Sequence, residues 1–352
     1  MAGSGGGGAR LLMRCMGWLA VSMAAACGYE ELPRLSGADA PGDVPASDGS
    51  SIDGPPQFTS CMGLAMTCGG GGTDSCCRAA PVDGGTFYRS YDVATDLYND
   101  MGAPATVSAF VLDKYEVTVG RFRAFVNAGL GTQASPPATG AGAHPKLAGS
   151  GWDSAWNTSL VANMTALVAA VKCDSTYQAW MDTPGANENK PMNCVTWYEA
   201  MAFCIWDGGY LPTEAEWNYA ASGGSEQRAY PWSNPATSMT IDCTYANYSP
   251  GNYCVNAPTG AVNRVGSESS KGDGRWGHSD LTGNVWEWTL DWYTGTYPLP
   301  CNDCANLTTS STRVIRGGSF GDVASNLRAA YRYNYTPSYR NYYFGWRCAR
   351  TP

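Results

Sequence analysis

The segment DLTGNVWEWTLDWY, Asp280–Tyr293, and the RVIRGGSFGD at Arg313–Asp322 that follows it, govern how the rest of this chain is read. In the first, Asp280 and Glu287 place side-chain oxygens at the two ends of a short stretch, with the permissive Gly283 between them. Around it, from Tyr230 to Pro300, almost no periodic element is legible. A long irregular region inside a folded domain needs other supports, and cations or disulfides supply them. Irregular backbone leaves carbonyls without ladder partners, and calcium accepts such carbonyls together with carboxylates. The competing reading is a tight turn with a buried Glu287 paired to an arginine.

Composition narrows the class. With 352 residues the chain holds one large domain or two ordinary ones. Gly (43), Tyr (21) and Trp (13) are abundant, which suits a loop-rich fold pinned by aromatic rings. Charged residues make up 15%, too few for a long solvated coiled coil. The net charge of −8 argues against a nucleic-acid partner, because phosphate binding needs a basic face, and it suits a protein that holds divalent cations.

Arg10 and Arg14 precede an apolar run, Trp18–Ala26, that is too short to span a bilayer and reads as an export signal. Ala24-Ala25-Ala26-Cys27 resembles a bacterial lipoprotein signal, in which the cysteine becomes the lipidated first residue; an ordinary cleaved signal is the alternative. Residues 28–58, rich in Pro, Gly, Ser, Asp and Ala, read as a disordered tether. A Cys-rich segment follows at 59–80, and the main domain occupies 81–352. The expected location is therefore the bacterial cell envelope, exported, touching the membrane through a lipid anchor only.

Fourteen cysteines behind an export signal point to disulfides. Cys61, Cys68, Cys76 and Cys77 form local bridges or bridges to the main domain, and their spacing does not suit zinc. Cys173 with Cys194 and Cys243 with Cys254 are plausible local pairs. Cys301 and Cys304 have redox-motif spacing, but Pro298, Pro300 and Asn302 place them in a loop, which favours a structural bridge. His144 and His278 lie far apart without neighbouring ligands and are expected at the surface.

Alternation over Thr106–Asp113 predicts a strand. Thr118 starts a helix carrying Val119, Phe122, Phe125 and Val126, with Gly129 to end it. Residues 154–172 give a weak helix. Thr196 with Glu199, and Thr213 with Glu216, are capping boxes at the starts of two more. Arg313–Gly318 and Gly345–Arg350 read as short strands.

Together with YEVTVGRFRAFV (Tyr115–Val126), CVTWYEAMAFC (Cys194–Cys204), GGYLPTEAEWNYAA (Gly208–Ala221), LRAAYRYNYTP (Leu327–Pro337) and FGWRC (Phe344–Cys348), the two opening segments resemble the formylglycine-generating enzymes, or sulfatase-modifying factors. Order and spacing agree over roughly residues 81–350. The resemblance implies an α+β, irregular, loop-rich fold related to the C-type lectin fold. It implies calcium on Asp280, Gly283, Val285 and Glu287, and a second calcium site of which Asn247 and the Tyr248 carbonyl carry over. It also implies a Cys204–Cys348 disulfide, which closes a loop worth about 4–5 kcal/mol in the chain-entropy model.

The same resemblance implies an oxidase that holds copper(I) on two cysteines a few residues after the Gly-Gly-Ser segment. Here Gly317-Gly318-Ser319 is followed by Phe320-Gly-Asp-Val-Ala-Ser-Asn-Leu327, and no cysteine occurs between Cys304 and Cys348. No catalytic residue is therefore assigned. What remains is a scaffold with a tyrosine-rich surface. Ser319, Tyr331, Tyr333, Tyr335, Tyr339 and Tyr342, set among Asn334, Asn341, Arg332 and Arg340, are expected to contact a peptide, glycan or protein, with some of these rings in the core. The alternatives are a family enzyme using a non-standard site on sulfatases or other exported substrates, and a structural envelope protein.

Overall fold

The computed structural model describes residues 58–95 and 100–352. The signal segment, Cys27 and the tether up to residue 57 lie outside the described residues. No helix among the described residues is long and apolar enough to cross a membrane.

Four short strands open the domain: β1 (Ala79–Val82), β2 (Gly85–Tyr88), β3 (Pro104–Val107) and β4 (Phe110–Asp113). The single strand expected over Thr106–Asp113 is thus two. Ser108 divides them: its N–H and hydroxyl both donate to the Asp303 carboxylate, at 2.6 and 2.8 Å. With that amide committed, β3 pairs with β2 while β4 turns away to pair with β1.

Helix α1 (Val119–Asn127) is capped by Thr118, whose hydroxyl accepts from the Arg121 N–H, and the chain leaves it through Gly129 at φ +76°. The expected weak helix over 154–172 is broken in two. A 3₁₀ turn covers Ser154–Ser159 and α2 covers Met164–Ala170, capped by Asp153 and Asn163 respectively. Helices α3 (Trp197–Trp206) and α4 (Glu214–Ala221) begin with the two predicted capping boxes, both formed reciprocally.

Strand β5 (Trp286–Trp292) was not foreseen, and it is the centre of the molecule. Its sequence alternates Trp286, Trp288, Leu290 and Trp292 with Glu287, Thr289 and Asp291, but all seven residues are buried. The polar face is buried because it is paired. Glu287 meets Arg347 and Trp217, Thr289 donates to the Val314 carbonyl, and Asp291 accepts from the amides of Glu214 and Asn306. Strands β6 (Arg313–Arg316), β7 (Arg332–Tyr335) and β8 (Phe344–Gly345) complete a sheet of order β7-β6-β5-β8, with only the β5–β8 pair parallel. Strand β9 (Ala349–Arg350) pairs with β4, so the last residues close the first sheet.

The core is aromatic and ionic together. Trp197, Trp217, Trp288 and Trp346 are fully buried, with Phe122 and Phe203 against Trp346. Arg121 spans Asp113 (2.8 Å) and Asp207 (2.6 Å), and Arg350 reaches the same two carboxylates. Burial alone would raise the Asp113 carboxyl, but Arg121 and Arg350 hold it below its ordinary value. Ser60 donates its amide to Asp207 and accepts from Arg121 Nε, which stitches the Cys-rich segment to this network.

Six disulfides join Cys61–Cys77, Cys68–Cys76, Cys173–Cys194, Cys204–Cys348, Cys243–Cys254 and Cys301–Cys304. Both histidines depart from expectation: neither is at the surface. His144 is 5% exposed and faces Glu216 Oε1 at 3.2 Å, and His278 is fully buried against the Leu112 carbonyl. Their neighbours come from distant segments, which is why their sequence surroundings were uninformative.

Candidate functional site

Strand β6 ends at Arg316 and runs into Gly317 (φ +97°) and Gly318 (φ +73°), a conformation that side-chain-bearing residues rarely adopt. Space forbids a side chain too: a Cβ on Gly317 would stand 2.9 Å from the Leu281 carbonyl. The turn delivers Ser319, fully buried, to the base of a surface built from β5, β7 and the segment after β7.

The organising side chain there is Asp322, three residues after Ser319. Its Oδ2 accepts from the Ser319 hydroxyl (2.6 Å), the Ser319 amide (3.0 Å) and Trp286 Nε1 (2.8 Å), and its Oδ1 from Asn326 Nδ2 (2.9 Å). Four donors on one carboxylate fix a turn firmly, and they supply oxygen where thiolates would be needed for copper(I). Every described cysteine is in a disulfide. The residues present therefore do not fit a two-thiolate copper site. Sequence reasoning missed Asp322 and Trp286; the signal available was Asp322 standing at the offset from Gly-Gly-Ser where a cysteine was sought.

The tyrosines divide into two connected groups. Tyr333, Tyr335 and Tyr339 are 45, 37 and 45% exposed. Tyr335 stacks on Tyr339 with centroids 5.3 Å apart and an interplanar angle of 10°, while Tyr331 and Tyr333 lean on Trp286. In the second group Tyr342 stacks on Tyr177 at 4.6 Å and touches Tyr343, which packs on Phe320. None of the tyrosines from 331 to 343 is fully buried, as some were expected to be, but Tyr331, Tyr342 and Tyr343 are half-buried against the core. Partial burial raises the Tyr331, Tyr335 and Tyr343 hydroxyls above their ordinary values. Strand β7 is an edge of its sheet, and Tyr333 and Tyr335 line one face of it. Arg340 is held by a bidentate pair with Glu199 of α3, which pins the segment that carries Tyr339 and Tyr342.

The candidate calcium segment lies behind this surface. Asp280 (φ +56°), Gly283 (φ +87°) and Asn284 (φ +59°) fold it into a tight curl. Asp280 accepts from the Gly266 amide, and burial, then Glu268, push its carboxyl up to about 8. Glu116, fully buried, is pushed well above its ordinary value by burial, then by Asp280 and Glu287, and its Oε1 meets no donor. Asn247 is placed beside the curl by its Nδ2, which donates to Asn284 Oδ1 at 3.1 Å, and its own Oδ1 is likewise buried without a donor.

These two side-chain oxygens are thus buried without a donor, and no described donor reaches the carbonyls of Gly283 and Val285. Two expected ligands have other partners. Glu287 takes Arg347 on both oxygens, at 2.6 and 2.8 Å, and Trp217 on Oε2, and the Tyr248 carbonyl accepts from Cys254 at 3.0 Å. Among the described residues no three His, Cys, Asp or Glu side chains converge on one point. The donor set fits calcium only with backbone carbonyls and the Asn247 amide oxygen included.

A family model described as the sulfatase-modifying factor enzyme 1-like domain matches residues 73–352. The formylglycine-generating enzyme of Thermomonospora curvata is 30% identical over 305 residues, covering 77% of this chain and 92% of its own length. The inactive C-alpha-formylglycine-generating enzyme 2 of Bos taurus is 32% identical over 45% of this chain and 50% of its own length. Among solved structures, PvdO from Pseudomonas aeruginosa superposes with a TM-score of 0.55 at 19% identity, covering 85% of this chain and 99% of that one.

Proposed function

This chain belongs to the sulfatase-modifying factor family, and from that premise we propose that it is an exported binding protein rather than a copper-dependent formylglycine oxidase. The observation that carries this reading is the replacement of the expected thiol site by a closed oxygen network. Asp322 is fully engaged by Ser319, Trp286 and Asn326, and no thiol of the described chain is free to bind a metal or to oxidise a substrate cysteine. That the family includes a relative named as inactive supports the reading.

The ligand is a peptide, glycan or protein, taken on the face of Tyr331, Tyr333, Tyr335, Tyr339 and Tyr342 above Ser319. Tyr333, Tyr335 and Tyr339, exposed and in ring contact with one another, offer contact area at little cost in side-chain freedom. Calcium steadies the curl behind the face through Asp280, Asn247 and the carbonyls of Gly283 and Val285. The orphaned oxygens of Glu116 and Asn247 support that assignment. Export is supported by the six disulfides, which persist in oxidising compartments. Anchoring through a lipidated Cys27 completes the proposal; Cys27→Ser is expected to release the protein from membranes, and wash-resistant pelleting of the variant would refute it.

Two measurements test the main reading. Incubation with a sulfatase-type cysteine peptide, with and without copper(I), is expected to leave the peptide mass unchanged. Screening of glycan and peptide arrays is expected to give signals that Tyr335→Ala/Tyr339→Ala removes. Turnover of the peptide thiol would establish instead a family enzyme with a non-standard site. The 30% identity to a formylglycine-generating enzyme favours that second reading, and it would direct attention to Cys301 and Cys304.

A further inference from the structure

Cys301-Asn302-Asp303-Cys304 carries a redox-motif spacing that the proposed function leaves unused. Its bridge joins residues 3 apart, against 8 to 144 for the other bridges. So short a loop adds least to stability through chain entropy. The loop is also held by bonds other than the bridge. The Thr106 amide donates to the Cys301 carbonyl (2.9 Å) and the Asp303 amide to the Thr106 carbonyl (2.8 Å). The Asp303 carboxylate takes both the amide and the hydroxyl of Ser108. The two sulfurs are therefore kept as neighbours whether joined or not.

The two sulfurs have unequal surroundings. Cys301 is 4% exposed, and Cys304 is half-buried. Arg89 Nη1 donates to Cys304 Sγ at 3.4 Å. Elsewhere among the described bridges the sulfur contacts are hydroxyls, Ser60 on Cys61 and Thr67 on Cys76, and none is a cation. The carboxylates near Arg89 do not draw it away. Glu214 takes Arg316 and Arg332, and Asp291 accepts from the Glu214 and Asn306 amides. Asp303, within the loop, is met by Lys146 at 3.1 Å. A guanidinium against a sulfur favours the thiolate, the part that a helix N-terminus plays in other sites of this spacing.

We propose that Cys301–Cys304 is a reactive disulfide that exchanges with peptide or protein dithiols, Cys304 meeting the substrate and Cys301 resolving. A substrate thiolate attacks Cys304 Sγ, and the electron pair of the broken S–S bond leaves on Cys301. The second substrate thiolate then attacks the substrate sulfur of the mixed disulfide, and Cys304 leaves as a thiolate beside Arg89. The substrate loses two electrons and two protons and becomes a disulfide. The bridge gains the two electrons; one proton rests on Cys301 and the other goes to solvent. No formylglycine forms, and the exchange is independent of whether the tyrosine face binds a ligand.

Redox titration of the full chain tests this. The protein is equilibrated with reduced and oxidised glutathione over a range of ratios, quenched with acid, alkylated and mapped by mass spectrometry. The Cys301–Cys304 bridge is expected to open first, with an equilibrium constant at least about tenfold more favourable to reduction than that of any other bridge. A reduced dithiol peptide is expected to become its own disulfide as that bridge opens, and Cys301→Ser to hold glutathione on Cys304. Alkylation of Cys304 in the selectively reduced protein is expected to titrate with a midpoint below about 7.5, and Arg89→Gln to slow it about tenfold at neutral pH. Should that variant fail to melt cooperatively, the wild-type midpoint decides. A bridge that opens no earlier than the others, or a Cys304 midpoint at about 7.5 or above, overturns the assignment.

Discussion

Arg347 and Glu287 illustrate how much rests on single buried side chains. Arg347 also donates to the Ser279 carbonyl at 2.9 Å and to the Lys114 carbonyl at 2.9 Å, so removing its carboxylate partner strands a charge among carbonyls. Glu287→Gln is expected to lower unfolding stability by about 3–5 kcal/mol, read from urea denaturation. A loss well under 1 kcal/mol would mean that the pair is dispensable. His278 gives a pH signature. Burial holds its imidazole down to about 3, so the folded protein keeps it neutral while the unfolded chain takes a proton near 6.5. Because the unfolded state binds more protons in that window, stability falls as pH drops from about 6.5 toward 3, by up to about 1.4 kcal/mol per pH unit. His278→Gln should flatten that part of the urea-midpoint profile, and an unchanged slope would sink the argument. Residue types alone did not place either histidine: burial is supplied by segments far away in the chain.

At the scale of elements, local chemistry was legible where it is self-contained. Thr196 with Glu199 and Thr213 with Glu216 close their capping boxes within four residues, and both helices begin where the pattern placed them. Thr196→Ala should cost about 1 kcal/mol, measurable as a shifted denaturation midpoint with an unchanged slope. Strand β5 was missed although Trp286, Trp288, Leu290 and Trp292 alternate cleanly, because Glu287 was read as a calcium ligand or as part of a tight turn. Edge strand β7 makes the complementary case. Its RYNY sequence fixes neither neighbour nor face, and only pairing with β6 leaves Tyr333 and Tyr335 outward. Replacing Tyr335 and Tyr339 with Ala should leave thermal stability within a few degrees of wild type while abolishing ligand capture. A much lower melting temperature would show that the stacked pair carries the fold.

For the whole molecule, the Cys204–Cys348 bridge spans 144 residues and ties α3 to the segment before β9. Replacing both with Ser should lower stability by about 2–5 kcal/mol in urea denaturation, and an unchanged midpoint would show that packing around Trp346 suffices. The chelator EGTA should lower the melting temperature, and calcium, but not magnesium at the same concentration, should restore it; an unmoved melting temperature in EGTA would refute the calcium assignment. The sequence by itself determined the family, the two boxed helices, the absence of cysteine between Cys304 and Cys348 and the plausible local disulfides. These are matters of residue type and short spacing, which survive without a fold. Only the tertiary structure decided that Glu287 pairs with Arg347, that Asp322 gathers Ser319 and Trp286, and that both histidines are buried. Each depends on groups dozens to hundreds of residues apart, brought together because the indole face of β5 and its paired polar face must both be shielded from water.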